Sequence, residues 1–111
     1  MTTQEFIQQL EMMHVSSYNS EKQRVEMTNG MQVSHRVEIS DFATQDGPLQ
    51  MQLIVSYHGS FVMRWGAESA RDNSLLAKCW MRLKNAGHKA EMDVDQRLQH
   101  EGYRLLMQGL Q

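Results

Sequence analysis

The chain carries one cysteine, Cys79, so it offers no internal disulfide, no thiol knuckle for a metal and no redox pair. Its stability must come from packing. No apolar run approaches the roughly 18 residues that a membrane-spanning helix needs. The opening Met-Thr-Thr-Gln-Glu lacks the basic and apolar regions of a secretion signal. Both absences point to a cytoplasmic location without a membrane partner. A strong basic excess is missing too: the formal net charge is −2, which speaks against a protein dedicated to coating nucleic acid. There is no Gly-x-Gly-x-x-Gly, no Gly-x-x-x-x-Gly-Lys-Ser/Thr and no Gly-x-Ser-x-Gly. Nucleotide and hydrolase chemistry therefore lack a motif, and no cofactor is expected.

What the chain does have is the size and balance of one globular domain. Its 111 residues suffice for one hydrophobic core and are too few for two. The apolar share of 41% and charged share of 22% are ordinary for a folded protein. No repeat, low-complexity tract or linker divides residues 1–111.

The first segment, Thr2-Thr3-Gln4-Glu5, has the spacing of a capping box. Phe6, Ile7, Leu10, Met13 and His14 follow at helical intervals, so a helix is predicted from here to about Ser16-Ser17, with a turn at Tyr18-Asn19-Ser20. The period then drops to two. Val25 and Met27 alternate with charged residues, as do Met31, Val33, Val37 and Ile39 with Gln32, Ser34, Arg36 and Glu38. A three-residue loop, Thr28-Asn29-Gly30, sets Met27 opposite Met31 and Val25 opposite Val33, with Gly30 in the left-handed position. A two-residue loop would put Glu26 on the apolar face. Beyond the turn-rich residues 43–48, the alternating Leu49, Met51, Leu53, Val55 and Tyr57 form a strand. It turns at His58-Gly59 into Phe61, Met63 and Trp65, and the same parity pairs Tyr57 with Phe61 and Val55 with Met63.

From Ser69 the helical period returns through Leu75, Leu76, Cys79, Trp80 and Leu83, with a stop expected at Asn85-Ala86-Gly87. A further helix from about Asp93 would bury Val94, Leu98, Leu105, Leu106 and Leu110, with Gly102 permitting close approach. The predicted fold is α+β: a four-stranded antiparallel meander with an N-terminal helix and two C-terminal helices packed on one face. The opposite face would be polar, lined by Arg24, Glu26, Gln32, Ser34, Arg36, Glu38, Gln50, Gln52 and Ser56. Two unpaired edges leave a homodimer through an edge or through the helices open.

Chemistry has few footholds. The histidines, His14, His35, His58, His88 and His100, have no metal-ligand spacing, and the bland reading of each is structural, with His35 in an apolar strand face holding a satisfied nitrogen. Glu91, Asp93 and Asp95 read as the negative first turn of a helix rather than as an acid-base pair. Cys79, between Leu76 and Leu83, reads as a buried thiol rather than a nucleophile. Of the ten methionines, Met12, Met81, Met92 and Met107 are candidates for exposure.

One surface feature stands out. On the helix after Ser69, Arg71, Lys78 and Arg82 fall within an arc of about 40° opposite Trp80, flanked by Ser74 and Asn85. Between Arg64 and Lys89, six basic residues face two acidic ones, whereas residues 1–55 hold three basic and seven acidic. Such a ridge, with Arg71, Lys78, Arg82, Asn85 and Lys89 as its contact residues, suits an acidic protein surface or a phosphate backbone. It equally suits the acidic half of its own molecule or of a dimer mate.

The order of helix, antiparallel strands and helix is similar to that of double-stranded RNA-binding domains, whose basic helix-start motif is absent. In size, acidic balance and mixed topology the chain resembles secretion-effector chaperones and small phage inhibitors of host defence, a likeness without any motif. The expected function is that of a small non-catalytic binding or regulatory protein, a bacterial or phage-type inhibitor or adaptor, docking on a protein partner. The alternatives are a nucleic-acid-binding protein that uses the ridge, and a small enzyme with a dispersed active site.

Overall fold

A computed structural model describes residues 1–39 and 49–109. Its first element is helix α1 (Thr3–Glu11). The Thr2 hydroxyl accepts from the Glu5 amide at 3.1 Å, and the Glu5 carboxylate accepts from the Thr2 amide at 3.3 Å, so the capping box is present. The helix buries Phe6, Ile7 and Leu10 and ends at Glu11, earlier than its periodicity predicts.

The residues after it form strand β1 (Val15–Asn19) instead of a helix end and a turn. Among the described residues five strands result rather than four: β2 (Arg24–Met27), β3 (Met31–Ile39), β4 (Leu49–Tyr57) and β5 (Ser60–Gly66) complete an antiparallel sheet in the order β1-β2-β3-β4-β5. The fifth strand is hidden by a bulge. Val15 pairs with Met27 but Ser17 with Glu26, so one residue is extra between them and the period-two pattern is broken. Tyr18 then lies opposite Val25 and is buried.

The β2–β3 hairpin follows the parity argument: Val25 pairs with Val33, and Gly30 has φ +90. At β4–β5 the outcome is mixed. Val55 pairs with Met63 as expected, but Ser56 pairs with Phe61 and Tyr57 with Ser60, because a bulge falls at Val62. His58 and Gly59, both at positive φ (47 and 83), make a two-residue turn, and the bulge restores the register below it. Phe61 thus shares a face with Ser56, on the outer side of the sheet rather than in the core.

The C-terminal part is one helix, α2 (Ala70–Gly109), of 40 residues, where two were expected. Asn85-Ala86-Gly87 does not stop it. A Cβ at Gly87 would stand 2.9 Å from the Tyr18 Cβ and 3.0 Å from the Ser17 carbonyl carbon and oxygen. The glycine therefore marks a crossing of helix over strand rather than a helix end. Glu91 and Asp93 lie inside α2, not in a first turn; that turn carries Asp72, behind Ser69, whose hydroxyl accepts from the Asp72 amide at 3.1 Å.

One face of the sheet supplies Val25, Met27, Val33, Met51, Leu53 and Val55 to the core, closed by α1 and by Leu76, Cys79, Trp80 and Leu83 of α2. Phe6 stacks on Trp65 at 5.2 Å, and the Trp65 indole N–H donates to the Thr3 hydroxyl at 2.9 Å, joining α1 to β5. The far half of α2 does not join this core. Leu98, Leu105 and Leu106, expected to be buried, are 62%, 62% and 63% exposed, and the molecule measures 69 × 25 × 23 Å. The expectations for residues 43–48 and Leu110, and for the Val94 side chain, lie outside the described residues.

Candidate docking surfaces

The ridge predicted from sequence is set by how α2 is fastened. The Asn73 side-chain oxygen accepts from the Met51 amide at 2.6 Å, holding the start of the helix against β4. Gly87 presses on β1, and the Glu91 carboxylate accepts from the Tyr18 amide at 3.0 Å, occupying an outward N–H of the β1 edge. With both ends fixed, the stripe through Leu76, Cys79, Trp80 and Leu83 faces the sheet. Arg71, Lys78, Arg82, Asn85 and Lys89 are brought together on the outward face, all exposed. They span about 27 Å along the axis at 1.5 Å per residue.

Arg82 is partly engaged within the chain, its guanidinium 2.5 Å from the Glu11 carboxylate at the end of α1. Both side chains are largely in solvent, so this bridge adds little stability; it fixes a direction for Arg82. Lys84, two residues on and on the opposite side of the helix, lies 5.3 Å from the centre of the Tyr18 ring and is directed inward, off the ridge. Half-exposed Met81 borders the ridge, and Met12, Met92 and Met107 are exposed as well.

Beneath Arg82 a cleft of about 370 Å³ opens between α1 and α2, lined by Glu11, Met13, His14, Val15, Cys79, Arg82, Leu83 and Ala86. Cys79 is fully buried. Burial pushes its thiol up to about 11, against the opposing pull of Arg82 and with a smaller push from Glu11. At neutral pH it is a protonated thiol, unsuited to nucleophilic attack.

The histidines are scattered. His14 lines the cleft mouth, His58 sits in the β4–β5 turn against Tyr57, His88 packs beside Tyr18 and His100 is exposed on the far half of α2. His35 lies 4.6 Å from the Trp80 ring, and its buried Nδ1 has no hydrogen-bond partner among the described residues, so the satisfied nitrogen expected of it is not this one. Burial, followed by the charge of Lys84, holds it below its ordinary value of 6.5. Among the described residues no group of three or more His, Cys, Asp or Glu is placed to hold a metal ion.

The outer face of the sheet is laced by its own polar pairs. Arg24 bonds Glu26 at 2.8 Å and Arg36 bonds Glu38 at 2.9 Å, while the Gln52 amide donates to Glu38 at 3.1 Å. This face was expected to lack an apolar anchor; the bulge puts Phe61 there, 67% exposed, beside exposed Val62. A period-two reading hides Phe61, since nothing in the sequence around Val62 announces an extra residue.

No helix among the described residues is long and apolar enough to cross a membrane. Comparisons with protein-family models, curated proteins and solved structures find no match.

Proposed function

We propose that the protein is a non-catalytic binding or regulatory protein that docks through the outward face of α2 on an acidic surface of a protein partner. The observation that carries this reading is the alignment of Arg71, Lys78, Arg82, Asn85 and Lys89, all exposed on one line of a helix fastened at both ends of that segment. A ridge on a rigid element offers positive charge without a folding cost at the moment of contact. Its neighbours, Met81 and the stems of the long basic side chains, supply adaptable apolar contact. The buried, protonated Cys79 and the dispersed histidines support a binder over an enzyme. An inhibitor or adaptor of bacterial or phage type, working by steric occupation in the cytoplasm, is the form of this reading we favour.

The test is capture from a bacterial lysate, with and without nuclease, using the wild type and an Arg71→Ala/Lys78→Ala/Lys89→Ala variant. These three positions spare the Arg82–Glu11 bridge. A protein retained after nuclease treatment and lost with the variant is the expected result. Recovery of nucleic acid without a protein, with affinity falling steeply as salt rises, would replace this reading with phosphate-backbone binding.

A further inference from the structure

Beyond Glu91, α2 runs on as an arm of about 18 residues, roughly 27 Å long, carrying exposed Met92, Leu98, Leu105, Leu106 and Met107. A single helix of this length is marginal in water unless an apolar face is covered. Gly102 adds a cost near 1 kcal/mol relative to alanine, and among the described residues nothing lies within 4 Å of where its Cβ would be. Leu98 and Leu105 stand within about 20° of one another on the helix surface, with Gly102 on the same side. Among the described residues nothing covers this stripe, and the charges beside it indicate what does.

Along one flank of the stripe the charged residues are Asp93, Arg97, Glu101 and Arg104, all exposed. Their signs alternate, minus, plus, minus, plus. Read backwards the row is plus, minus, plus, minus. Such a row is complementary to itself when two copies run antiparallel and repulsive when they run parallel. Residues 93 and 97, and 97 and 101, are four apart, yet among the described residues none of these four side chains is ion-paired within its own chain.

We propose that the arm pairs antiparallel with the arm of a second copy of this chain. Asp93 then faces Arg104 and Arg97 faces Glu101, each pair occurring twice about a two-fold axis at the level of Leu98 and Gln99. The same register sets Leu98 of each arm beside Gly102 of the other, where the missing side chain lets the helices approach. The two bodies lie at opposite ends of the paired arms, so the dimer is elongated and both α2 ridges stay free. This dimer therefore stands independently of the docking function assigned to the ridge. Two single helices this short make a small interface, so association is weak and concentration-dependent.

The experiment is sedimentation velocity on the whole chain from micromolar to millimolar concentration. Wild type is expected to pass from monomer to an elongated dimer. Arg97→Glu and Glu101→Arg alone each place like charges opposite one another and weaken dimerisation by about tenfold. Mixed together, the two variants form a heterodimer in which every facing pair is opposite in sign. Pairing of charges only within one helix does not produce that rescue. Wild type that stays monomeric throughout, or variants whose mixture stays monomeric, would overturn the proposal and leave the arm to a different partner.

Discussion

At the scale of single residues, glycines carry the clearest consequences. Gly87 lies where α2 meets β1, with the Ser17 backbone 3.0 Å from the position of an added Cβ. Backbone cannot swing aside as a side chain can. Gly87→Ala gains about 1 kcal/mol of helix propensity and loses about 1–3 kcal/mol to overpacking. We predict a net fall in the urea midpoint. Gly102→Ala, with nothing among the described residues within 4 Å of the added Cβ, keeps only the gain and leaves that midpoint unchanged or raised. His35 gives a pH dependence of known sign. Its charged form is disfavoured in the folded state, so its contribution to stability is complete above the ordinary value of 6.5 and is lost as pH falls below it through the lowered folded value. Urea midpoints taken from neutral pH downward should fall more steeply for the wild type than for His35→Phe. Cys79 should react with an alkylating reagent far more slowly in the native protein than in denaturant, as a buried thiol raised to about 11 requires.

At the scale of elements, edge protection is divided unequally. The β1 edge is closed by α2 through Glu91, whose carboxylate accepts from the Tyr18 amide. Glu91→Ala leaves that N–H without its charged acceptor, at a cost of about 1–3 kcal/mol, and it uncovers an edge. Chemical denaturation should register the loss and light scattering the added self-association. Whether a strand could be read from sequence followed its regularity. β3 and β4, nine residues each, were legible because apolar residues alternate along them, interrupted on the inward side of β3 only by His35, and the Val25–Val33 register followed from hairpin parity. β1 was not, because the extra residue between Val15 and Ser17 breaks the alternation and the preceding helix pattern runs through Met13 into it. Phe61 was misplaced for the same reason at Val62. For Asn85-Ala86-Gly87, a stop and a close helix–strand crossing use the same residue, and only the position of β1 distinguishes them.

At the scale of the whole molecule, the ridge was legible because it depends on helical spacing and on knowing which face is buried, and the stripe through Leu76 and Leu83 settled that face. The arm was not, since an apolar stripe reads the same whether it packs on its own core or waits for another surface. The result is a body with one covered sheet face, a basic outward helix face and a projecting apolar arm of opposite charge balance. Two arms and two ridges per dimer would give a bivalent binder whose apparent affinity exceeds that of one ridge.

The central claim is that the ridge, and not the open sheet face with Phe61, is the working surface. It is tested most directly with a photo-crosslinking residue placed in turn at Asn85 on the ridge and at Ser34 on the open sheet face. The account predicts a nuclease-resistant protein adduct from position 85 and none from position 34. An adduct from position 34 alone, or nucleic acid as the sole product at position 85, would contradict it.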